Sequence, residues 1–344
     1  MSTPVVDLHC DLPLYLALAE PMGENRTLDD AKSRCSVPQM REGGVIFQTL
    51  AIFAPPMPDS GDFGLREAEV LARTLEHHPH RLRAVRAAGD LEPASPDDAS
   101  IGVMAALEGG DAFSNPGEPL GETLARFDRM LEVLGPVLYT SLTWVADNRF
   151  GGGNGGDQKG LSADGRVMLE YLAERGVPVD LSHACPRLAH DVLDFTYSHG
   201  LEIEVLASHS PYAGVLDLPR NLTDDAAREI KSRGGVIGLN VMARYVVGDA
   251  PQALVDQMLY AREIGVLEGA QALGADFFCD LDVPPEMRKG EDDPDFFKDF
   301  GNSSCYPRLL EAIQEGLAMG DQELAAIAHG NALGFIRRAL AAQT

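Results

Sequence analysis

The segment Val5-Val6-Asp7-Leu8-His9-Cys10-Asp11 sets an imidazole and a carboxylate two residues apart at the end of an apolar run. In a strand, residues i and i+2 share a face, so His9 and Asp11 point one way and Cys10 the other. Such a pair suits a divalent cation. Asp7 shares that face but lies deeper, where it either orients a ligand or partners buried backbone. Four further apolar runs end in groups of the same kind. Glu108 precedes Gly109-Gly110, His183 closes Asp180-Leu181-Ser182-His183, His209 sits in Ser208-His209-Ser210, and Asp276 in Gly274-Ala275-Asp276-Phe277. Any one of them has an ordinary reading as a hydrogen-bonded rim residue. Three histidines and three carboxylates at the ends of separate runs point instead to one shared site.

A tetrahedral catalytic zinc uses three protein ligands and a water. His9, Asp11, Glu108, His183 and His209 exceed that need, whereas two metals sharing Glu108 use all five. His9, Asp11 and one Glu108 oxygen would take one ion; His183, His209 and the other oxygen would take the second. The expected cofactor is two Zn2+ per chain, bridged by Glu108 and a water or hydroxide that such ions activate near neutral pH. Asp276 is then left as the catalytic acid–base, passing a proton from that water to a leaving amine.

Positioning these groups requires strands that end on one rim. Strand candidates lie at 4–10, 45–54, 102–108, 137–144, 178–183, 204–209, 235–241 and 272–277. They are rich in Val, Ile and Leu and lack strict polar alternation, as strands buried on both faces do. Helical patterns separate them at 64–78, 120–134, 162–175, 186–198, 223–233, 250–264 and 307–318. Several open on caps such as Ser162 and Thr223 and end in Gly, as at Gly135, Gly176, Gly200 and Gly234. This alternation predicts an α/β fold, a (β/α)8 TIM barrel with its active site at the C-terminal ends of the strands. No linker divides residues 1–344, which read as one barrel domain; 284–299 reads as a long acidic, solvated loop.

The formal net charge of −25 over 344 residues argues against nucleic acid or an anionic membrane as partner. Five scattered cysteines form no CxxC pair and suit free thiols in a reducing compartment. The N-terminus carries no signal-peptide pattern, and no apolar run reaches about eighteen residues. A cytoplasmic location is expected.

Together the motifs resemble the membrane (renal) dipeptidase family of binuclear zinc peptidases, within the amidohydrolase-like barrels, over nearly the whole chain. Asp7-Leu8-His9-Cys10-Asp11-Leu12-Pro13 is similar to its opening D-x-H-x-D-L-P, and Leu107-Glu108-Gly109-Gly110 to its bridging-glutamate motif. Asp180-Leu181-Ser182-His183 and Ser208-His209-Ser210 resemble its later metal histidines. Arg220-Asn221-Leu222-Thr223-Asp224-Asp225 resembles its R-N-x-x-D-D stretch, and Gly274-Ala275-Asp276-Phe277 its catalytic aspartate segment. The resemblance implies hydrolysis of dipeptides, with a D-residue tolerated at the C-terminal position. It implies that Arg220 binds the substrate carboxylate, which a guanidinium reads bidentately, and that Tyr245 contacts the same end. It also implies a homodimer, although no interface is legible.

One departure bears on substrate. The family carries L-T-H after its fourth strand, and that histidine helps polarise the scissile carbonyl. Here the run is Leu142-Thr143-Trp144. An indole N–H donates one hydrogen bond but carries no charge, so Trp144 joins the substrate-binding candidates. Asp147, Asn148 or Arg149 are expected to supply part of the missing function. Phe277-Phe278 stands where F-D-G is usual and reshapes the pocket beside Asp276. These changes keep open a related amidohydrolase acting on N-acyl amino acids or other amides. A non-enzymatic binding barrel is disfavoured by the full ligand set with Asp276.

Other signals are set aside. Gly151–Gly156 fits G-x-G-x-x-G but lacks the strand–turn–helix context and reads as a flexible loop over the site. His77, His78 and His80 read as surface; His190, His199 and His329 read as structural. Ser182-His183 and Ser208-His209 are not expected to form a nucleophile–base pair within themselves, because neighbours on a strand face opposite ways.

Overall fold

The apolar runs form strands whose residues are almost all buried, as two-sided burial demands. The computed structural model describes residues 3–92, 99–283 and 295–343. Within them the strands are β1 (Val5–Cys10), β2 (Val45–Phe53), β3 (Leu82–Ala84), β4 (Ile101–Glu108), β5 (Val137–Ser141), β6 (Val179–Asp180), β7 (Val205–Leu206), β8 (Ile237–Leu239) and β9 (Gln271–Leu273). All ladders are parallel, in the order β7-β6-β5-β4-β2-β1-β9-β8. A bridge between Ala207 and Ile237 joins the two ends into a ring. The fold is a (β/α)8 TIM barrel. The unforeseen strand, β3, pairs only with residues 101–103 of β4, below the point where β5 takes over at Ala105.

The helical patterns appear nearly where periodicity sets them, including Leu120–Leu134 and Pro186–Ser198. Ser162 and Thr223 cap their helices by accepting from Gly165 N and Ala226 N. The helix Asn331–Ala342 touches β1, β5 and β9, on different sides of the ring, so it lies across the N-terminal mouth. Its Phe335, Ile336 and Leu340 continue the apolar column of Val6, Leu8, Phe47 and Leu206. The opposite mouth is left for chemistry.

Three expectations need correction. The sixth and seventh strands hold only two ladder residues each, because the chain turns away at the site; His183 has φ 67. β1 stops at Cys10, and Asp11 is the N-cap of the helix Leu12–Ala17, not a strand residue. The Gly151–Gly156 run is no loose loop at its start. Gly151, Gly152 and Gly153 are buried, and a Cβ on Gly153 would run into the Ala146 and Trp144 carbonyls. Of the acidic stretch 284–299, residues 284–294 lie outside the described residues.

Candidate active site

Six side chains from five strand ends meet at the C-terminal mouth. His9 Nε2 lies 3.3 Å from Glu108 Oε2, 3.5 Å from Asp11 Oδ1 and 3.7 Å from Asp276 Oδ1. The other Glu108 oxygen, Oε1, lies 3.0 Å from His183 Nε2 and 3.3 Å from His209 Nε2. Glu108 is 3% exposed and His9 and His209 are fully buried. Thus one carboxylate at the end of β4 faces one imidazole with one oxygen and two imidazoles with the other. Gly109, at φ 78, turns the chain directly after it, a conformation glycine adopts without a Cβ penalty.

Each imidazole is held by its other nitrogen. His9 Nδ1 is 2.7 Å from the Tyr139 hydroxyl, which itself donates to Leu8 O at 2.8 Å. Ser208 Oγ donates to Asp180 Oδ2 at 2.6 Å and so accepts from His209 Nδ1, also at 2.6 Å. His183 Nδ1 donates to Asn154 Oδ1 at 3.1 Å. A ring that donates through Nδ1 presents a lone pair at Nε2. All three lone pairs therefore converge on Glu108, the arrangement that outer hydrogen bonds give metal-binding histidines. Tyr139, Ser208 and Asn154 escaped sequence reasoning. Ser208 and His209 do meet, because both lie beyond the β7 ladder where strand alternation no longer applies, but the serine accepts from the imidazole and so is not a nucleophile activated by it. Asp7 braces backbone: it accepts from His9 N and Ala275 N at 3.1 Å each and from the Tyr306 hydroxyl at 2.6 Å. Asn240 Nδ2 donates to Asp276 Oδ2 at 2.9 Å.

The charge balance calls for added positive charge. Burial raises Asp11 to about 6 and Asp276 to about 7. Burial and then Arg220 push His183 down to about 4. His9 Nε2, His209 Nε2 and Asp11 Oδ1 are buried without a hydrogen-bond partner. Orphaned acceptors at this depth are costly unless something positive faces them. Two groupings have ligand atoms close enough for a cation: His9, Glu108 and His209, and His9, Asp11 and Asp276. The donor set of imidazoles and carboxylates fits zinc.

A cleft opens above these groups, with Asp11, Glu108, His183 and Asp276 in its lining. Arg244 and Tyr245 form part of its wall. Arg220 is buried behind them, its guanidinium 5.2 Å from the Tyr245 ring centre. It donates to His209 O at 2.8 Å and Ser210 Oγ at 3.1 Å, while its Nε has no partner. Trp144 lines the other side. Asp147, Asn148 and Arg149 do not join it: Asp147 pairs with Lys159, Asn148 with Asp111 and Leu142 O, and Arg149 with Asp164. The expectation that they replace the missing histidine is overturned.

A model of the membrane dipeptidase family (peptidase family M19) matches residues 1–344. The chain belongs to this family. An uncharacterised dipeptidase of Schizosaccharomyces pombe is 27% identical to it over 96% of this chain and 79% of that one. The solved structure of a metallopeptidase described as dipeptidase AC, of the same family, superposes with a TM-score of 0.78 at 19% identity, covering 98% of this chain and 99% of that chain. A Rhodobacter sphaeroides metallopeptidase, solved with a phosphinate mimic of the dipeptide L-Ala-D-Ala, gives 0.78 at 18% identity with the same coverage. The family is one of metal-dependent dipeptide hydrolases, and the ligand-bearing rim of this chain agrees with it. No helix among the described residues is long and apolar enough to cross a membrane.

Proposed function

We propose that this chain hydrolyses the peptide bond of dipeptides with two zinc ions. His9, Asp11 and Glu108 would hold one; Glu108, His183 and His209 would hold the other. The observation that carries this reading is the division of Glu108, with Oε2 toward His9 and Oε1 toward His183 and His209. When bound, such a pair supplies an activated water and polarises the scissile carbonyl.

The chain's own residues do the rest. Arg220, with Tyr245 across its face, takes the substrate carboxylate and fixes the scissile bond over Glu108. Either hand of C-terminal residue is accommodated, in keeping with the L-Ala-D-Ala mimic bound by the Rhodobacter relative. Asp276, tethered through Oδ2 by Asn240, keeps Oδ1 toward His9 and carries a proton to the departing amine. Glu108 acts as bridging ligand and holds negative charge between the imidazoles. Trp144 supports a second reading, hydrolysis of N-acyl amino acids, since its indole carries no charge where the family has a histidine. The enzyme is proposed to work as a homodimer and in the cytoplasm, the latter on its five buried, unpaired cysteines.

The test is turnover of a dipeptide panel, including L-Xaa-D-Xaa pairs, beside N-acyl amino acids. It is run on protein stripped by chelator and on protein reloaded with zinc, with zinc per chain measured. Loss of turnover on stripping and its return at two zinc per chain are expected. Full turnover after complete stripping would overturn the proposal.

A further inference from the structure

The cleft is chemically two-sided. Following the ring of strands, Arg220 comes after β7, and Arg244 and Tyr245 come after β8. Phe53 ends β2, Trp144 follows β5, and Leu14 follows β1 on the adjoining helix. The cationic residues thus occupy one arc of the rim, where Met242 and Phe278 also line the cleft, and Leu14, Phe53 and Trp144 occupy the opposite arc, which holds no cation among the described lining residues. Leu14 and Phe53 are buried, and with Ala54, Phe63 and the partly exposed Trp144 they form a small apolar cluster separate from the two larger cores. The Phe53 and Trp144 rings pack at 4.6 Å between centres, tilted by 58°. Trp144 also lies 6.1 Å from the His183 ring, so the shelf reaches the metal-binding residues. Gly109 makes room for it: a Cβ there would approach Trp144 Cβ to 3.2 Å.

We infer that Leu14, Phe53 and Trp144 form an apolar shelf that selects a large apolar side chain on the residue contributing the scissile carbonyl. This rests on the dipeptidase reading. A substrate whose carboxylate is drawn to the Arg220–Tyr245 arc lays its carbonyl-side residue over the opposite arc. There it meets rings and a leucine, while the nearby charged groups are turned elsewhere, Arg149 to Asp164 and Lys159 to Asp147. A benzyl or isobutyl group gains burial on such a surface; a charged side chain loses water without a partner. Replacement of a histidine by Trp144 therefore exchanges a polar contact to the carbonyl for discrimination on its side chain.

Trp144 is the chain's single tryptophan, so its fluorescence reports on the shelf directly. Zinc-loaded full-length protein is titrated with non-hydrolysable phosphinate analogues of Phe-Ala and Ala-Ala. The Phe analogue should move the emission to shorter wavelength and bind about tenfold or more tighter. In turnover, the Phe-Ala to Ala-Ala ratio of kcat/KM should fall by about tenfold in Trp144→Ala. It should also fall in Phe53→Ala, a second variant that guards against local misfolding in the first. Equal affinity of the two analogues, binding that leaves the emission unmoved, absence of binding, or a ratio unchanged in both variants would overturn the shelf. Failure of the dipeptidase reading has a different signature: the Phe analogue binds tightly with the emission shift, yet the loaded enzyme cleaves no dipeptide.

Discussion

The Tyr139 hydroxyl is committed as a donor to Leu8 O, which makes it an acceptor for His9 Nδ1. Tyr139 lies on β5 and His9 on β1, so this bond crosses the barrel and sets the tautomer of a ligand from the far side. Asp180 does the same for His209 through Ser208, and Asn154 for His183. The three lone pairs that face Glu108 are consequences of these partners, not of the histidines alone.

Tyr139→Phe should therefore weaken metal binding without emptying the site. The ring space is kept, but His9 Nδ1–H loses its acceptor at full burial. Zinc affinity, measured by competition with a chromophoric chelator, should drop by about 10- to 100-fold. An affinity equal to the parent's would show that Tyr139 does not orient His9.

Asp276→Asn should separate binding from chemistry. Asp276 lies near enough to His9 and Asp11 to serve as a ligand, yet Asn240 holds its other oxygen. If its role is proton transfer, the variant keeps its zinc and loses about 10²- to 10⁴-fold in kcat. Loss of one equivalent of zinc would make it a ligand instead.

The barrel was legible because its strands are continuous Val, Ile and Leu runs and its helices carry caps and 3.6-residue periodicity. The ligands were legible because each sits next to a strand end, so sequence position stands in for spatial position. What supports them was not. Tyr139 lies mid-strand in an apolar run, and Asn154 lies in a glycine run that reads as loose. Their contacts span 130 and 29 residues, and no local pattern encodes a partner at that separation. The Ser208–His209 contact was hidden for the opposite reason: strand alternation sets the two side chains apart, but the strand has already ended there.

Glu67 gives a pH signature in stability. This carboxyl, on the helix Ser60–His77, is fully buried and among the described residues receives only the Phe53 N–H, at 3.3 Å and 3.4 Å to its two oxygens. Burial raises its pKa well above the ordinary range. The folded state thus binds a proton that the unfolded state releases, so stability falls as pH rises from about 4.3, the unfolded value, toward the folded one. Glu67→Gln keeps an acceptor for Phe53 and cannot ionise. In urea unfolding, the variant should match the parent near pH 4 and gain on it at about 1.4 kcal/mol per pH unit until the folded pKa is passed. A pH-independent difference would place Glu67's ionisation outside the balance.

Arg220 and Arg244 make rival claims on the substrate carboxylate, and kinetics can tell them apart. Arg244 is on the cleft wall and its Nε also lacks a partner, but its guanidinium is paired with Asp295. Arg220 is 4% exposed, holds His209 O and Ser210 Oγ, and retains an Nε without a partner. An unused Nε is common to both, so the ion pair decides: a buried guanidinium without a carboxylate partner among the described residues gains more from an incoming carboxylate than one already neutralised by an aspartate. Arg220→Met should raise KM by about 10- to 150-fold, the loss expected for a hydrogen bond to a charged group. Zinc per chain, read in the same samples, separates this effect from loss of metal, since Arg220 Nη2 also lies 3.4 Å from His183 Nε2. Arg244→Met should raise KM by less. The reverse order would move the carboxylate outward, to the residue directly preceding Tyr245.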